Sequence, residues 1–217
     1  MINLKPIISA ALQEGGSDRV SFAEDFGKSS FFLAGSSGKP TPVFDPVDWL
    51  SPFVLRGKLF VQRMCAQEIQ WDDAVDEELR ELLETWCREA EDLRDVSIKR
   101  THNQGDCRVL SRKLHILGDA SERAYSAVAY IQCLYEDDTS SVSLVMAKIK
   151  LAPLKKQTLP RLELLAALVA VRLRSTLVDQ LGVPIDEVVL YTDWQITHCW
   201  CPTENPGKWK TFVANRV

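Results

Sequence analysis

The strongest constraint on the fold is a series of three strand-like segments followed by a long helical pattern. The segments RKLHILGD, AYSAVAYIQCLY and SVSLVMAKIKL are rich in Val, Ile, Leu and Tyr, and EDDTS separates the last two as a hairpin turn. Segments of this composition joined by short connections favour consecutive antiparallel strands. The sequence therefore predicts three such strands, at residues 112–119, 124–135 and 141–151.

The next segment, TLPRLELLAALVAVRLRSTLVDQLG, has apolar residues at helical spacing, with Pro160 near its start and Gly182 as its terminator. Residues 186–193, DEVVLYTD, form a short apolar strand of the kind that a helical crossover places parallel to its neighbour. We expect a further helix from Asp193 through Cys199. The fold class is therefore α/β or α+β, with a mixed sheet of three antiparallel strands plus one parallel strand and a main helix.

The chain before this domain divides into two parts. Residues 1–42 mix Gly, Ser and charged residues with short apolar pieces, which predicts a poorly ordered leader. Residues 43–105 hold two helical patterns, one that begins at Ser51 with Pro52 in its first position and one with a strongly acidic outer face. The domain with the mixed sheet occupies residues 106–217.

Composition narrows the class of protein. The net charge is −4 and the pI is about 5.5, so any nucleic-acid contact would depend on local Lys and Arg clusters. The six cysteines include no CxxC pair, which is typical of reduced thiols. The sequence shows no signal peptide and no transmembrane segment. It predicts a cytoplasmic or nuclear protein with no membrane partner.

Three acidic residues stand where predicted elements begin or end. Asp119 ends the first strand of the domain, Glu163 lies in the first turn of the main helix, and Asp193 ends the fourth strand. If the first and fourth strands lie side by side and parallel, their carboxyl ends meet at one edge of the sheet. The first turn of the connecting helix can lean over the same edge, so we expect the three carboxylates to converge there.

Converging carboxylates repel each other, and their burial is tolerable when a cation neutralises them. Mg²⁺ prefers oxygen ligands and shares its open positions with phosphates. Two such ions would favour phosphodiester cleavage, so the pattern predicts nuclease chemistry. Each acid alone also has an ordinary structural interpretation: a turn residue for Asp119, a surface acid near the helix start for Glu163, and a helix N-cap for Asp193.

Basic residues surround the predicted site. The segment KIKLAPLKKQTLPR is either a solvated basic loop or a surface that follows the phosphates of a nucleic acid. Its position beside the acids favours the second interpretation. The candidate nucleic-acid-binding residues are Lys148, Lys150, Lys155, Lys156 and Arg161.

Four stretches resemble one family, in the order in which that family has them. LHILGDASERAYSAVAYIQ, SLVMAKIKLAPLKKQTLPRLELLAALVAVRL and LYTDWQITHCW with KWKTFVANRV look like the RNase H-like region of Pao/BEL-type retrotransposon polyproteins. FDPVDWLSPFVLRGKLFVQ and the acidic helix resemble the segment that joins the reverse transcriptase to that region. The family also carries the label Pao retrotransposon peptidase, but the chain has no Asp-Thr-Gly or Asp-Ser-Gly triplet of an aspartic protease.

The resemblance covers roughly residues 43–217 and implies a function. It implies an RNase H-like domain that hydrolyses the RNA strand of RNA–DNA hybrids, preceded by a reverse-transcriptase connection-like segment. Asp119, Glu163 and Asp193 would be its catalytic and metal-binding residues, with two Mg²⁺ or Mn²⁺ ions as cofactors. The partners it implies are an RNA–DNA hybrid and the reverse transcriptase domain of the parent polyprotein.

The sequence leaves two interpretations of the activity of this chain. The RNase H pattern has a fifth strand, a further helix and a fourth metal ligand, and this sequence reaches Val217 before any of them. As a C-terminally truncated domain, the chain is expected to be a weak or inactive endonuclease. The alternative is a non-catalytic retroelement remnant or domesticated fragment that acts only through protein or nucleic-acid contacts.

Overall fold

The structure is a computed structural model that describes residues 30–34, 40–69, 73–93, 96, 107–192 and 206–216. The chain divides into two compact units, Met1–Ile98 and Lys99–Val217. Each unit has hydrophobic core residues of its own. The described helices include none with the length and apolar character that a bilayer crossing requires.

The first unit contains a hairpin and two helices. β1 (Ser30–Ala34) pairs antiparallel with β2 (Pro40–Phe44), and α1 (Ser51–Ala66) and α2 (Glu77–Asp92) follow. The hairpin begins inside residues 1–42, the predicted leader, whose other residues up to β2 lie outside the described part of the chain. We did not predict these strands, because each is only five residues long and has no extended hydrophobic pattern.

The two helices pack through Trp86. Its ring stacks on Phe53 at a centroid distance of 4.8 Å, and its indole N–H donates a hydrogen bond of 3.0 Å to the Phe53 carbonyl. α1 begins at Ser51, as Pro52 predicts, because the fixed φ of proline suits the first turn of a helix. A second apolar cluster between the same helices buries three further side chains: Met64, Leu79 and Leu83.

The second unit has an open four-stranded sheet. β3 (Val109–Ala120), β4 (Ala124–Tyr135) and β5 (Ser140–Leu151) form an antiparallel meander. α3 (Leu159–Gln180) then crosses to β6 (Glu187–Tyr191), which pairs in parallel with β3. This arrangement confirms the predicted α+β class with three antiparallel strands plus one parallel strand.

α3 covers one face of this sheet. Alternate residues of β3 and β4 point towards the helix, because successive side chains of a strand face opposite sides. Beyond β6, the structure describes a 3₁₀ turn (Pro206–Lys208) and a short helix, α4 (Thr211–Ala214). The helix predicted from Asp193 through Cys199 lies outside the described residues. The core between the sheet and α3 includes Leu114, Ile116, Ala127, Ala129, Ile131, Val169, Ala170, Leu173 and Leu177.

Replacing Trp86 tests the packing of the first unit. Trp86→Ala removes a side chain that is 1% exposed, so we expect the free energy of unfolding to fall by about 3–5 kcal/mol. Urea denaturation followed by circular dichroism measures this change. Leu82→Ala is the control, because Leu82 lies on the same helix and is 42% exposed. Equal losses in the two variants would contradict the packing described here.

Candidate functional site

The sequence predicts a site at the carboxyl end of β3. β3 and β6 pair in parallel from Lys113 opposite Glu187 to Leu117 opposite Tyr191. The Lys113 ammonium forms an ion pair of 2.7 Å with the Glu187 carboxylate across this pairing. This contact lowers the pKa of Glu187 and raises that of Lys113. The last described pair, Leu117 with Tyr191, lies two residues before Asp119 on β3.

Asp119 does not form the turn that follows it. Its Oδ1 accepts a hydrogen bond of 2.8 Å from the backbone N–H of Ala120, and its side chain is exposed. Ser121 closes the turn instead, since its backbone N–H donates to the Ala124 carbonyl and its Oγ accepts from the Ala124 N–H. The turn therefore does not account for an aspartate at position 119.

Glu163 is buried, with 2% of its surface exposed. The interpretation as an ordinary surface acid is therefore wrong. Its predicted place in the first turn is also wrong, because α3 begins at Leu159, one residue before Pro160, and holds no acid in its first turn. Glu163 is the fifth residue of the helix, where burial of a carboxylate is costly without compensating interactions.

A close contact between β3 and α3 fixes the relative position of these two acids. A Cβ atom on Gly118 would lie 3.2 Å from the Ala166 carbonyl oxygen. Glu163 lies three residues before Ala166, which is about 4.5 Å along the helix axis. Asp119 lies one residue past Gly118, which is about 3.3 Å along the strand. Because α3 starts at the edge where β3 ends, both displacements lead towards the same edge.

The two carboxylates approach that edge from different sides. Gly118 faces α3, so Asp119 belongs to the opposite, exposed face of β3 by the alternation of the strand. Within the described residues, no three His, Cys, Asp or Glu side chains are grouped so that they could hold a metal ion. Asp193, the third predicted ligand, lies outside those residues. The carboxylate oxygens of Asp119 and Glu163 are ligands of the kind that a hard divalent cation such as Mg²⁺ prefers.

The predicted basic residues lie on three consecutive parts of the chain. Lys148 and Lys150 are half-buried on β5, opposite Ala127 and Tyr125 of β4. Lys155 and Lys156 are exposed in the connection between β5 and α3. Arg161 lies in the first turn of α3, and its Nη1 donates to the Gln157 side-chain oxygen at 3.3 Å. These residues lie along the segment that leads from the sheet to Glu163.

Comparison with known families identifies the family of this chain. A model of the Pao retrotransposon-like RNaseH-like domain matches residues 38–194. The chain belongs to this family. The match includes α1 and α2 as well as the sheet and α3, and it contains the positions of Asp119, Glu163 and Asp193. Searches of curated proteins and of solved structures found no match.

The sequence analysis missed an aromatic and basic cluster near the end of the described chain. The Phe212 ring in α4 lies beneath the Arg161 guanidinium, with 4.8 Å from Cζ to the ring centroid. Arg216 lies over the same ring at 3.9 Å. The spacing of four residues between Phe212 and Arg216 could have indicated the second contact, because residues four apart are neighbours on a helix. The contact with Arg161 joins distant parts of the sequence.

Filling the space at Gly118 tests the contact that positions Glu163. Gly118→Val places a branched side chain against the backbone of Ala166, so we expect α3 to move away and the protein to lose about 1–3 kcal/mol of stability. Urea denaturation measures the loss. Ser126→Thr is the control, because Ser126 lies on the other face of the sheet opposite Asp119. Its effect should stay within about 0.5 kcal/mol. An unchanged stability of Gly118→Val would contradict the close packing.

Proposed function

We propose that this domain is a divalent-metal-dependent endonuclease of the RNase H type, which cleaves the RNA strand of an RNA–DNA hybrid. The observation that carries the proposal is the position of Glu163, a buried carboxylate that the contact between Gly118 and Ala166 directs to the edge where Asp119 ends β3. Burial of a carboxylate is costly, and a bound cation would offset that cost.

The metal ligands in this proposal are Asp119, Glu163 and Asp193. The described register of β3 and β6 ends at Leu117 opposite Tyr191, and Asp119 and Asp193 each follow two residues later in the sequence. Asp119 and Glu163 would hold the cation through their carboxylate oxygens. The metal would supply a lowered pKa for bound water and stabilisation of the charge that develops on the leaving oxygen.

The rest of the chain contributes the binding of the substrate. Lys155 and Lys156 are exposed in the segment before α3, and Arg161 is on the first turn of that helix, two residues from Glu163. Positive side chains at this position would hold the phosphate backbone close to the carboxylates. Membership of the Pao retrotransposon-like RNaseH-like family supports a hybrid as the substrate.

A cleavage assay tests the proposed activity. The full chain is incubated with a labelled RNA–DNA hybrid in Mg²⁺ or Mn²⁺, beside Asp119→Asn and Glu163→Gln. Because each variant removes a direct metal ligand, we expect the cleavage rate to fall by at least about a hundredfold. Glu122→Gln is the control, because Glu122 is an exposed acid three residues from Asp119. Absence of cleavage by the unmodified chain, or cleavage that survives both ligand substitutions, would reject the proposal.

Metal binding has a second measurement that does not depend on activity. An ion that binds only the folded chain stabilises it by about 2.7 kcal/mol at a concentration one hundred times its Kd. We expect Mg²⁺ to raise the melting temperature of the unmodified chain and of Glu122→Gln. The rise should be lost in Glu163→Gln, because that variant keeps the size of the side chain and removes its charge. An equal rise in melting temperature in all three proteins would show that Mg²⁺ does not bind at Glu163.

A further inference from the structure

The aromatic and basic cluster around Phe212 has two guanidinium groups held over one ring. We call this cluster of Arg161, Phe212 and Arg216 the arginine clamp. Both arginine Cζ atoms lie over the Phe212 ring, at 4.8 Å and 3.9 Å from its centroid. Arg216 also donates a hydrogen bond of 2.8 Å from Nη1 to the Phe212 carbonyl. The side chains are thus positioned before any ligand binds.

The positive charge of the clamp has no acidic partner among the described residues. The ion pairs among the described residues engage other cations: Arg56, Arg63, Arg80, Arg108 and Lys113. The two guanidiniums of the clamp can be no further apart than the sum of their distances to the ring centroid. Like charges at this separation repel, and the ring attracts each of them through a cation–π interaction.

Further positive charge surrounds the clamp. Burial raises the pKa of the Tyr125 hydroxyl, and the positive charges of Arg172 and Arg216 oppose that rise. Both arginines therefore lie close enough to Tyr125 to act on it electrostatically. Tyr125 pairs with Lys150 on one side and with Ala120 on the other, next to Asp119. Arg161 of the clamp is in the first turn of α3, two residues before Glu163, so the clamp lies at the same end of the sheet as the candidate carboxylates.

We propose that the arginine clamp binds the phosphate backbone of a nucleic acid, with Arg161 and Arg216 as the phosphate ligands and Phe212 as the residue that positions them. Guanidinium groups present donors in a planar arrangement that matches phosphate oxygens, and stacking on an aromatic ring leaves their edges available. The two arginines are half-buried, so their side chains retain access to solvent.

A nucleic acid fits this surface better than an isolated anion does. Several cations, from Lys150 to Arg216, lie near one edge, and phosphates of a nucleic-acid strand repeat about every 3.4 Å along its axis. The choice of this ligand rests on the proposed function. The clamp itself contains no carboxylate and needs no metal ion, so its binding can be measured separately from cleavage.

The experiment measures binding of the full chain to a fluorescent RNA–DNA hybrid in EDTA at several salt concentrations. Each phosphate contact adds about 0.9 to the slope of log K against log salt concentration. The double variant Arg161→Gln/Arg216→Gln should therefore lose about 1.8 from that slope and bind about tenfold more weakly. The control is Arg80→Gln/Arg108→Gln, which removes two exposed arginines that have acidic partners. Its slope should stay close to that of the unmodified chain.

Phe212→Leu tests whether the positions of the two arginine charges matter, because it leaves the number of charges unchanged. It keeps both arginines and an apolar side chain, and it removes the ring over which they stack. We expect weaker binding with a smaller loss of slope than in the double arginine variant. Circular dichroism and melting temperature establish that each variant is folded. An unchanged slope in the folded double variant, or no binding by the unmodified chain, would overturn the proposal.

The controls also separate this site from the nuclease proposal. Asp119→Asn and Glu163→Gln should bind the hybrid in EDTA as the unmodified chain does, because neither residue belongs to the clamp. If these chains bind and no chain cleaves, the clamp stands and the nuclease proposal fails. Vesicles that contain phosphatidylserine test a different polyanion. Arginine-dependent binding to the vesicles without binding to the hybrid would contradict a nucleic-acid ligand.

Discussion

The close approach of α3 to β3 at Gly118 is the contact on which the second unit depends. A side chain at this position would meet the backbone of Ala166, so glycine permits the helix to lie directly on the strand. The same approach brings Leu114 and Ile116 of β3 under α3 and buries them completely. It also sets how far Glu163 reaches along the strand. Core packing and the position of the candidate site therefore have one geometric cause.

Hydrophobic pattern and turn residues predicted most of this unit. The turn residues EDDTS correctly predicted the hairpin between β4 and β5. The long apolar pattern after Pro160 predicted α3, and a helical crossover predicted the parallel pairing of β6 with β3. Gly118 was not recognised as a packing residue, because sequence shows no partner for a missing side chain. Sequence left the burial of Glu163 undecided, since an acid near the start of a helix is normally exposed and only convergence with the other acids favoured burial. Tertiary contacts decide both features.

The two described acids differ in how strongly their surroundings suggest a function. Ser121 closes the turn after β3, and the Asp119 carboxylate, which accepts a hydrogen bond from the Ala120 N–H, is exposed at the strand end. Glu163 has the opposite character, because the fold keeps its carboxylate away from bulk solvent. Desolvation raises the free energy of a charged carboxylate. A cation at the edge would lower that cost and would use the exposed Asp119 as a second ligand.

The net charge of −4 is a poor guide to what this edge can bind. Much of the acidic charge lies in the first unit, where Glu77, Glu78, Glu81 and Glu84 are exposed on α2. Salt screens exposed charges beyond about 8–10 Å, so a ligand responds mainly to the groups near its own contact surface. Where β3 ends and β4 begins, these groups include Arg161, Arg172 and Arg216. A total charge conceals such an uneven distribution, which would let an acidic chain bind a phosphate backbone at this end of the sheet, as proposed.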